Sequence, residues 1–149
     1  MKRIIYIGAD SAGFALKEEV KAYLSNSGYT VEDLGAYSDA SCHYPEFAAK
    51  VCESVQKNLD GSFGILICGT GIGMSMCANK HKGIRAALCS DTYSARMTRC
   101  HNDANLLCMG ARVIGSCLAL DIVDSFLNAE FEGGRHATRV GMMMELENK

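Results

Sequence analysis

The chain has 149 residues, 48% hydrophobic and 21% charged, which predicts one globular domain with a sizeable core. Its net charge of −2 provides no broad basic field, so we do not expect nucleic acid as a partner. No apolar run approaches the roughly 20 residues of a membrane span, and the opening stretch 1–8 is too short and strand-like for a signal peptide.

The elements that the apolar pattern predicts alternate between strand and helix. Short β-rich runs predict strands, and apolar residues three and four apart predict helices. In chain order these are a strand over 3–8, a helix over 14–26, a strand over 30–34, a helix over 45–59, a strand over 63–67, a short helix over 74–80, a strand over 84–89, a helix over 92–100, a strand over 106–109, a helix over 116–127 and a last helix over about 137–147. This order predicts an α/β, three-layer Rossmann-like sandwich with a five-stranded parallel sheet and an extra C-terminal helix, all in a single domain.

The third predicted strand runs directly into a glycine-rich loop that begins at a cysteine. After Cys68 comes Gly69-Thr70-Gly71-Ile72-Gly73, where alternate glycines allow backbone N–H groups to turn inward and form an anion-binding nest. The field of these amides would favour a thiolate at Cys68. The alternatives are an inert packing cysteine and a dinucleotide-binding turn; for the latter, Asp91 lies about 20 residues further on.

Polar groups follow several of the predicted strands. The turn at Asp10 and Ser11, the Cys68 loop and Asp91 all belong to the carboxyl edge of the sheet, where parallel sheets bind ligands. His101 and Asn102 fall in the predicted loop after the helix 92–100, and therefore at the opposite edge. They could reach a site at the strand ends only across a dimer contact.

The C-terminal segment carries two arginines and an apolar helix face. Arg135 and Arg139 are four residues apart and would share one helix face, an arrangement that suits a phosphate, although solvated surface arginines are the plainer alternative. The apolar face of the last helix favours docking on a second subunit over docking on its own domain. The eight cysteines include no Cys-x-x-Cys pair, which predicts reduced thiols, a cytoplasmic protein and no zinc site.

Several short motifs together give the chain its resemblance to a known family. They are Gly8-Ala9-Asp10, Tyr44-Pro45, Ile67-Cys68-Gly69-Thr70-Gly71-Ile72-Gly73, Ala78-Asn79-Lys80, Gly83-Ile84-Arg85-Ala86, His101-Asn102-Asp103-Ala104-Asn105, Gly110-Ala111-Arg112-Val113 and Glu132-Gly133-Gly134-Arg135-His136. Over nearly its whole length the chain resembles the type B ribose-5-phosphate isomerases and their galactose-6-phosphate isomerase relatives.

The resemblance implies a metal- and cofactor-independent aldose–ketose isomerase that interconverts ribose 5-phosphate and ribulose 5-phosphate through an enediolate, in the non-oxidative pentose phosphate pathway. Cys68 would be the base, Thr70 would assist proton movement, and His101 would open the furanose ring with help from Asp10. The implied substrate-binding residues are Ser11, Tyr44, Gly69, Gly71, Ile72, Gly73, Asn102, Arg112, Arg135 and Arg139. The resemblance also implies a homodimer, or a tetramer of paired dimers, with sites shared between subunits.

Two positions depart from the family pattern. Ser11 stands where histidine is usual, and His43 stands where the ribose enzymes often have aspartate. These departures leave open a six-carbon substrate such as allose 6-phosphate or galactose 6-phosphate. An NAD-binding oxidoreductase and a non-catalytic sugar-phosphate sensor are the alternatives from other functional classes.

Overall fold

The computed structural model describes residues 2–149 and contains a five-stranded sheet between two layers of helices. Among these residues, no helix combines the length and the apolar character needed to cross a membrane. The elements are β1 (Ile4–Ala9), α1 (Phe14–Asn26), β2 (Val31–Asp33), α2 (Tyr44–Gln56), β3 (Ser62–Cys68), α3 (Ile72–Ala78), β4 (Ala86–Leu88), α4 (Thr92–Asn102), β5 (Leu106–Gly110), α5 (Ser116–Leu127) and α6 (Arg135–Glu145), followed by a 3₁₀ turn at Leu146–Asn148.

The five strands are all parallel and lie in the order β2-β1-β3-β5-β4. Every residue of β3 and β5 is buried, because helices cover both faces of the sheet. The apolar side chains of α1 and α5 pack on one face, and those of α2 and α3 pack on the other. The predicted α/β sandwich with a five-stranded parallel sheet and an extra C-terminal helix is therefore confirmed.

The largest differences from the predicted elements occur at the sheet edges and at helix ends. The second and fourth strands span 31–33 and 86–88, against predicted spans of 30–34 and 84–89. Both are edge strands that pair on one side only, and local apolar patterns do not show where such a ladder ends. The helix predicted over 45–59 ends at Gln56, so Leu59 lies beyond α2 and is 43% exposed.

Two predicted site residues also lie in a different element from the one expected. His101 and Asn102 form the last turn of α4, not the loop after it, because the helix continues until Asp103 takes a left-handed conformation with φ 47°. The last helix begins at Arg135, two residues earlier than predicted, so Arg135 is in its first turn.

A buried ion cluster connects α1 to the end of β2. The side chain of Lys17 is fully buried, and its Nζ donates hydrogen bonds of 2.7 and 2.6 Å to the two carboxylate oxygens of Asp33. Asp33 also accepts hydrogen bonds from Lys21 and from the N–H of Gly35. Burial acts to raise the pKa of Asp33, but the bonds from Lys17, Lys21 and Gly35 outweigh it and leave the pKa below its usual range.

Candidate active site

The strand order creates a crevice between the carboxyl ends of β1 and β3. The chain leaves β1 towards β2 on one side and leaves β3 towards β5 and β4 on the other. Parallel sheets bind ligands at such a switch point, because the loops diverge there and leave space at the strand ends. The turn at Asp10 follows β1, and Cys68 is the last residue of β3. These two predicted catalytic residues therefore border the same crevice.

Two backbone amides after Cys68 donate hydrogen bonds to side chains of the same loop. The N–H of Gly71 donates to Sγ of Cys68 at 3.1 Å, and the N–H of Ile72 donates to Oγ1 of Thr70 at 3.2 Å. Gly71 makes this turn with a left-handed φ of 79°, which a residue with a side chain rarely adopts. The loop thus gives a hydrogen-bond donor to each of the two side chains that the resemblance assigns to proton movement.

The loop is held between closely approaching backbones. A Cβ on Gly110 would lie 2.6 Å from the carbonyl carbon of Thr70, and a Cβ on Gly71 would lie 2.9 Å from that of Met109. Neither backbone can move aside without displacing a strand end, so only glycine fits at these positions. This tight contact fixes the position of Thr70 relative to β5.

Side chains and turns from three other segments surround this loop. The ring of Tyr44 lies 2.7 Å from the point where a Cβ on Gly73 would stand, and the side chain of Arg112 lies 3.5 Å from the equivalent point on Gly69. The N–H of Asp10 donates to the carbonyl of Ile67. The fold thus brings together one group of the predicted residues, which we name the thiol group: Asp10, Ser11, Tyr44, Cys68, Gly69, Thr70, Gly71, Ile72, Gly73 and Arg112.

Other thiols nearby differ from Cys68 in their surroundings. Burial raises the pKa of Cys52 to about 12 and that of Cys89 to about 11, and it raises the pKa of Cys108 as well. These thiols are protonated at neutral pH and act as packing groups. Cys68 differs from them in position, because it ends β3 and its sulfur accepts the N–H of Gly71.

The remaining predicted residues form a second group, His101, Asn102, Arg135 and Arg139, which we name the histidine group. His101 and Asn102 end α4, and the five residues of β5 lead from there to the edge where Cys68 lies. At roughly 3.3 Å per residue, that strand separates the two edges by about 16 Å. Within one chain the histidine group therefore does not meet the thiol group, as the sequence predicts. Asn102 instead lines a groove of about 770 Å³ beside the C-terminal helix.

His101 contacts two residues to which the sequence assigned no role. Its ring is stacked on that of His136, with centroids 4.3 Å apart and an interplanar angle of 10°. Oε2 of Glu132 lies 3.8 Å from Nε2 of His101 and 3.5 Å from Nε2 of His136. No helical periodicity in the sequence shows the proximity of Glu132 and His136, because Glu132 lies before the start of α6 at Arg135.

The same three side chains are of types that bind transition metals, but their orientation does not suit a shared ion. A metal bound by two imidazoles must lie in the plane of each ring, along both nitrogen lone pairs. The nearly parallel planes of His101 and His136 do not meet near Glu132. One ring would have to rotate out of the stack before both could bind the same ion.

Comparison with known proteins reveals close relatives over the full chain. A family model described as Ribose/Galactose Isomerase matches residues 5–143. The chain is 47% identical to ribose-5-phosphate isomerase B of Escherichia coli K12, covering 100% of this chain and 99% of that protein. It is similar to the structure of Clostridium thermocellum ribose-5-phosphate isomerase B, with 53% identity, TM-score 0.95 and 97% of each chain covered. The Mycoplasma genitalium ribose-5-phosphate isomerase B structure, with bound ribulose-5-phosphate, is 43% identical with TM-score 0.96, covering 100% of this chain and 99% of that one.

Proposed function

Since the chain belongs to the ribose/galactose isomerase family, we propose that it is a sugar-phosphate aldose–ketose isomerase that interconverts ribose 5-phosphate and ribulose 5-phosphate. The observation that carries this proposal is the thiol of Cys68 at the carboxyl end of β3, with the N–H of Gly71 directed at its sulfur. Relatives named ribose-5-phosphate isomerase B match the whole chain, and the structure of one of them holds ribulose 5-phosphate.

Cys68 is the base in this proposal. Its thiolate removes the proton from C2 of the open-chain aldose, the C–H electron pair forms the C1=C2 bond, and O1 takes the negative charge. The thiol then returns the proton to C1 while the proton on O2 moves to O1, which leaves a carbonyl at C2. Thr70 is the hydroxyl that assists the transfer between the oxygens, and the amides of residues 69–73 stabilise the enediolate.

The substrate enters as a closed ring, which must open first. His101 takes the proton from O1 of the furanose and gives a proton to O4 as the C1–O4 bond breaks and the C1 carbonyl forms, with Asp10 assisting at the ring. Asn102 binds sugar hydroxyls. Arg112, Arg135 and Arg139 bind the phosphate, because guanidinium groups make paired hydrogen bonds to its oxygens. Ser11 and Tyr44 complete the substrate contacts.

These roles require two subunits, and we propose a homodimer in which the C-terminal helix reaches the partner. The thiol and histidine groups lie at opposite edges of one chain, so a complete site needs the thiol group of one subunit and the histidine group of the other. Exposed apolar side chains support this assembly: Met142 is 65% exposed and Leu146 is 62% exposed on the C-terminal segment, and Met76 on α3 is 64% exposed.

The base assignment is tested by ketose formation from ribose 5-phosphate with a chelator present. Cys68→Ala should lose about 10²–10⁴-fold in turnover, because a positioned acid–base contributes that much. Cys117→Ala is the matched control, since Cys117 is an exposed thiol on α5 and should leave turnover unchanged. Activity that survives in Cys68→Ala would show that another group is the base.

The shared site is tested by mixing two inactive variants. The two variants are Cys68→Ala and His101→Ala, and their chains are unfolded together and then refolded. In each mixed dimer, one of the two sites has an intact Cys68 and an intact His101. At equal amounts, half of the dimers are mixed, so about a quarter of the wild-type activity should return. A mixture that stays inactive would contradict the two-subunit site.

The alternatives make different experimental predictions. The dinucleotide alternative relies on Asp91, but that carboxylate accepts the N–H of Ser94 at 2.6 Å as the N-cap of α4, and β5 separates its strand from β3. A six-carbon sugar remains the specific alternative because of Ser11 and His43. Greater turnover with allose or galactose 6-phosphate would favour it. Binding of ribose 5-phosphate without turnover would indicate a sensor.

We further propose that the protein acts in the cytoplasm, in the non-oxidative pentose phosphate pathway. All eight cysteines are free thiols, which supports a reducing compartment. Both proton transfers are assigned to side chains of this chain, so the proposal requires no cofactor.

A further inference from the structure

We propose that Glu132 and His136 are positioning residues, which hold the imidazole of His101 in the orientation that ring opening requires. The inference rests on the proposed function, because only an enzyme acting on a cyclic sugar needs that step. Neither residue is assigned contact with the substrate. Each acts through His101.

The ring of His101 needs such a support because of its place in the fold. It lies in the last turn of α4, where its side chain is 39% exposed and could rotate freely. The ring of His136 is fixed by comparison, since the residue is only 8% exposed. Stacking against this ring covers one face of His101 and restricts its rotation.

Glu132 restrains a different part of the same ring. Its backbone N–H donates to the carbonyl of Cys100 at 3.0 Å, which ties its segment to the residue just before His101. Its carboxylate faces Nε2 of both imidazoles. At 3.8 Å the carboxylate acts on the His101 ring through its charge, and it favours the imidazolium that forms when His101 accepts a proton from the sugar.

The charges around the stack agree with this role. Burial, together with His101 and Arg135, lowers the pKa of His136, so His136 is neutral at neutral pH. When His101 takes up a proton, its stacked neighbour therefore adds no second positive charge. The charged groups that face the pair are Glu132 from the preceding loop and Arg135 and Arg139 from α6. Of these, only Glu132 can stabilise the imidazolium.

The test separates ring opening from proton transfer at carbon. Ribulose 5-phosphate cannot close a five-membered ring, because its C5 oxygen carries the phosphate. Exchange of its C1 hydrogen with deuterium from the solvent therefore needs Cys68 but no ring opening. Glu132→Gln and His136→Gln should slow ribose 5-phosphate isomerisation about tenfold or more, as part of the 10²–10⁴-fold effect of a full acid–base group. The rate of C1 exchange should change less than twofold in both.

Two controls make the outcome decisive. Glu130→Gln removes an exposed carboxylate from the same loop and should leave both rates unchanged. In a His101→Ala background, His136→Gln should cause no further loss, because a residue that acts only through His101 has nothing left to position.

Three results would overturn the inference while the wild type remains active. These are unchanged isomerisation in both variants, an equal loss of isomerisation and C1 exchange, or a full additional loss in the His101→Ala background. A wild-type protein without any isomerase activity would instead refute the proposed function, and the inference with it.

Discussion

The Lys17–Asp33 pair stabilises the strand end that leads into the active-site crevice, and Asp33→Asn tests how strongly. Asp33 accepts the N–H of Gly35, and Gly35 and Ala36 exchange hydrogen bonds of 2.7 and 2.8 Å with Ala9. Ala9 immediately precedes Asp10. Loss of the ion pair should therefore loosen β2 against β1 at the point where the candidate site begins.

The expected magnitude follows from burial and from the partners that remain. Asp33→Asn leaves the fully buried ammonium of Lys17 with only Glu18, at 3.1 Å, as a counter-charge. Breaking a buried pair in this way costs about 3–5 kcal/mol in the free energy of unfolding. Lys17→Met should cost less than Asp33→Asn, because Lys21 and Gly35 still satisfy Asp33. In a chain of this size, Asp33→Asn should lower Tm by roughly 6–20 °C.

Urea denaturation of both single variants and of the double variant measures these costs. The double variant should cost at least about 1 kcal/mol less than the sum of the single variants, because removing both charges leaves no uncompensated ion. Asp39→Asn, in an exposed loop, is the matched control and should change stability by less than about 0.5 kcal/mol. The pKa of Asp33 is lowered on folding, so this contribution is present above about pH 4 and is lost as the pH falls through the folded-state value. An Asp33→Asn cost no greater than that of the control, or strictly additive costs, would refute the reasoning.

Three further predictions follow from single contacts. Gly110→Ala should cost about 1–3 kcal/mol in stability and about 10²-fold in turnover, because its Cβ would meet the backbone of Thr70 at 2.6 Å. Thermal melts and initial rates measure both effects, and a variant with wild-type stability and turnover would contradict the steric argument. Arg112→Lys should raise KM about tenfold or more with little change in kcat, since a lysine cannot bind phosphate through two parallel hydrogen bonds. Steady-state kinetics measures both constants, and a fall in kcat alone would count against a phosphate contact. Burial lowers the pKa of His136, so as the pH falls the unfolded chain binds a proton at this imidazole before the folded chain does. The free energy of unfolding should therefore fall as the pH drops below about 6.5. Urea titrations near neutral pH and about one unit below 6.5 should show a smaller fall for His136→Asn than for the wild type, and an equal fall in both proteins would contradict this prediction.

Local signals predicted much of the candidate site. The glycine spacing after Cys68 predicted a tight loop whose amides bind an anion, and in the structure two of these amides donate to Cys68 and Thr70. The order of strands and helices placed Asp10 and Cys68 at one edge and His101 at the other. The specific roles of these residues came from the resemblance to a family, not from their spacing.

Other features of the structure were missed because they depend on distant contacts. Lys17 reads as an exception on the apolar face of α1, and its partner Asp33 lies 16 residues away on another element. The stack of His101 on His136 joins the end of α4 to the start of α6. No periodic pattern in the sequence encodes such pairs, because periodicity reports only which face of an element is buried.

The sequence by itself determined the type and order of the elements, since strands and helices leave their own period in the apolar residues and glycines mark the turns between them. It also determined the short-range hydrogen bonds of the loop at Cys68, since Gly71 and Ile72 donate to side chains only two or three residues earlier. Tertiary structure alone decided the strand order, the short edge strands and the distance between the thiol and histidine groups. These depend on how β1, β3 and β5 pair and on which helix covers which face, and such choices are made by packing between segments far apart in the chain.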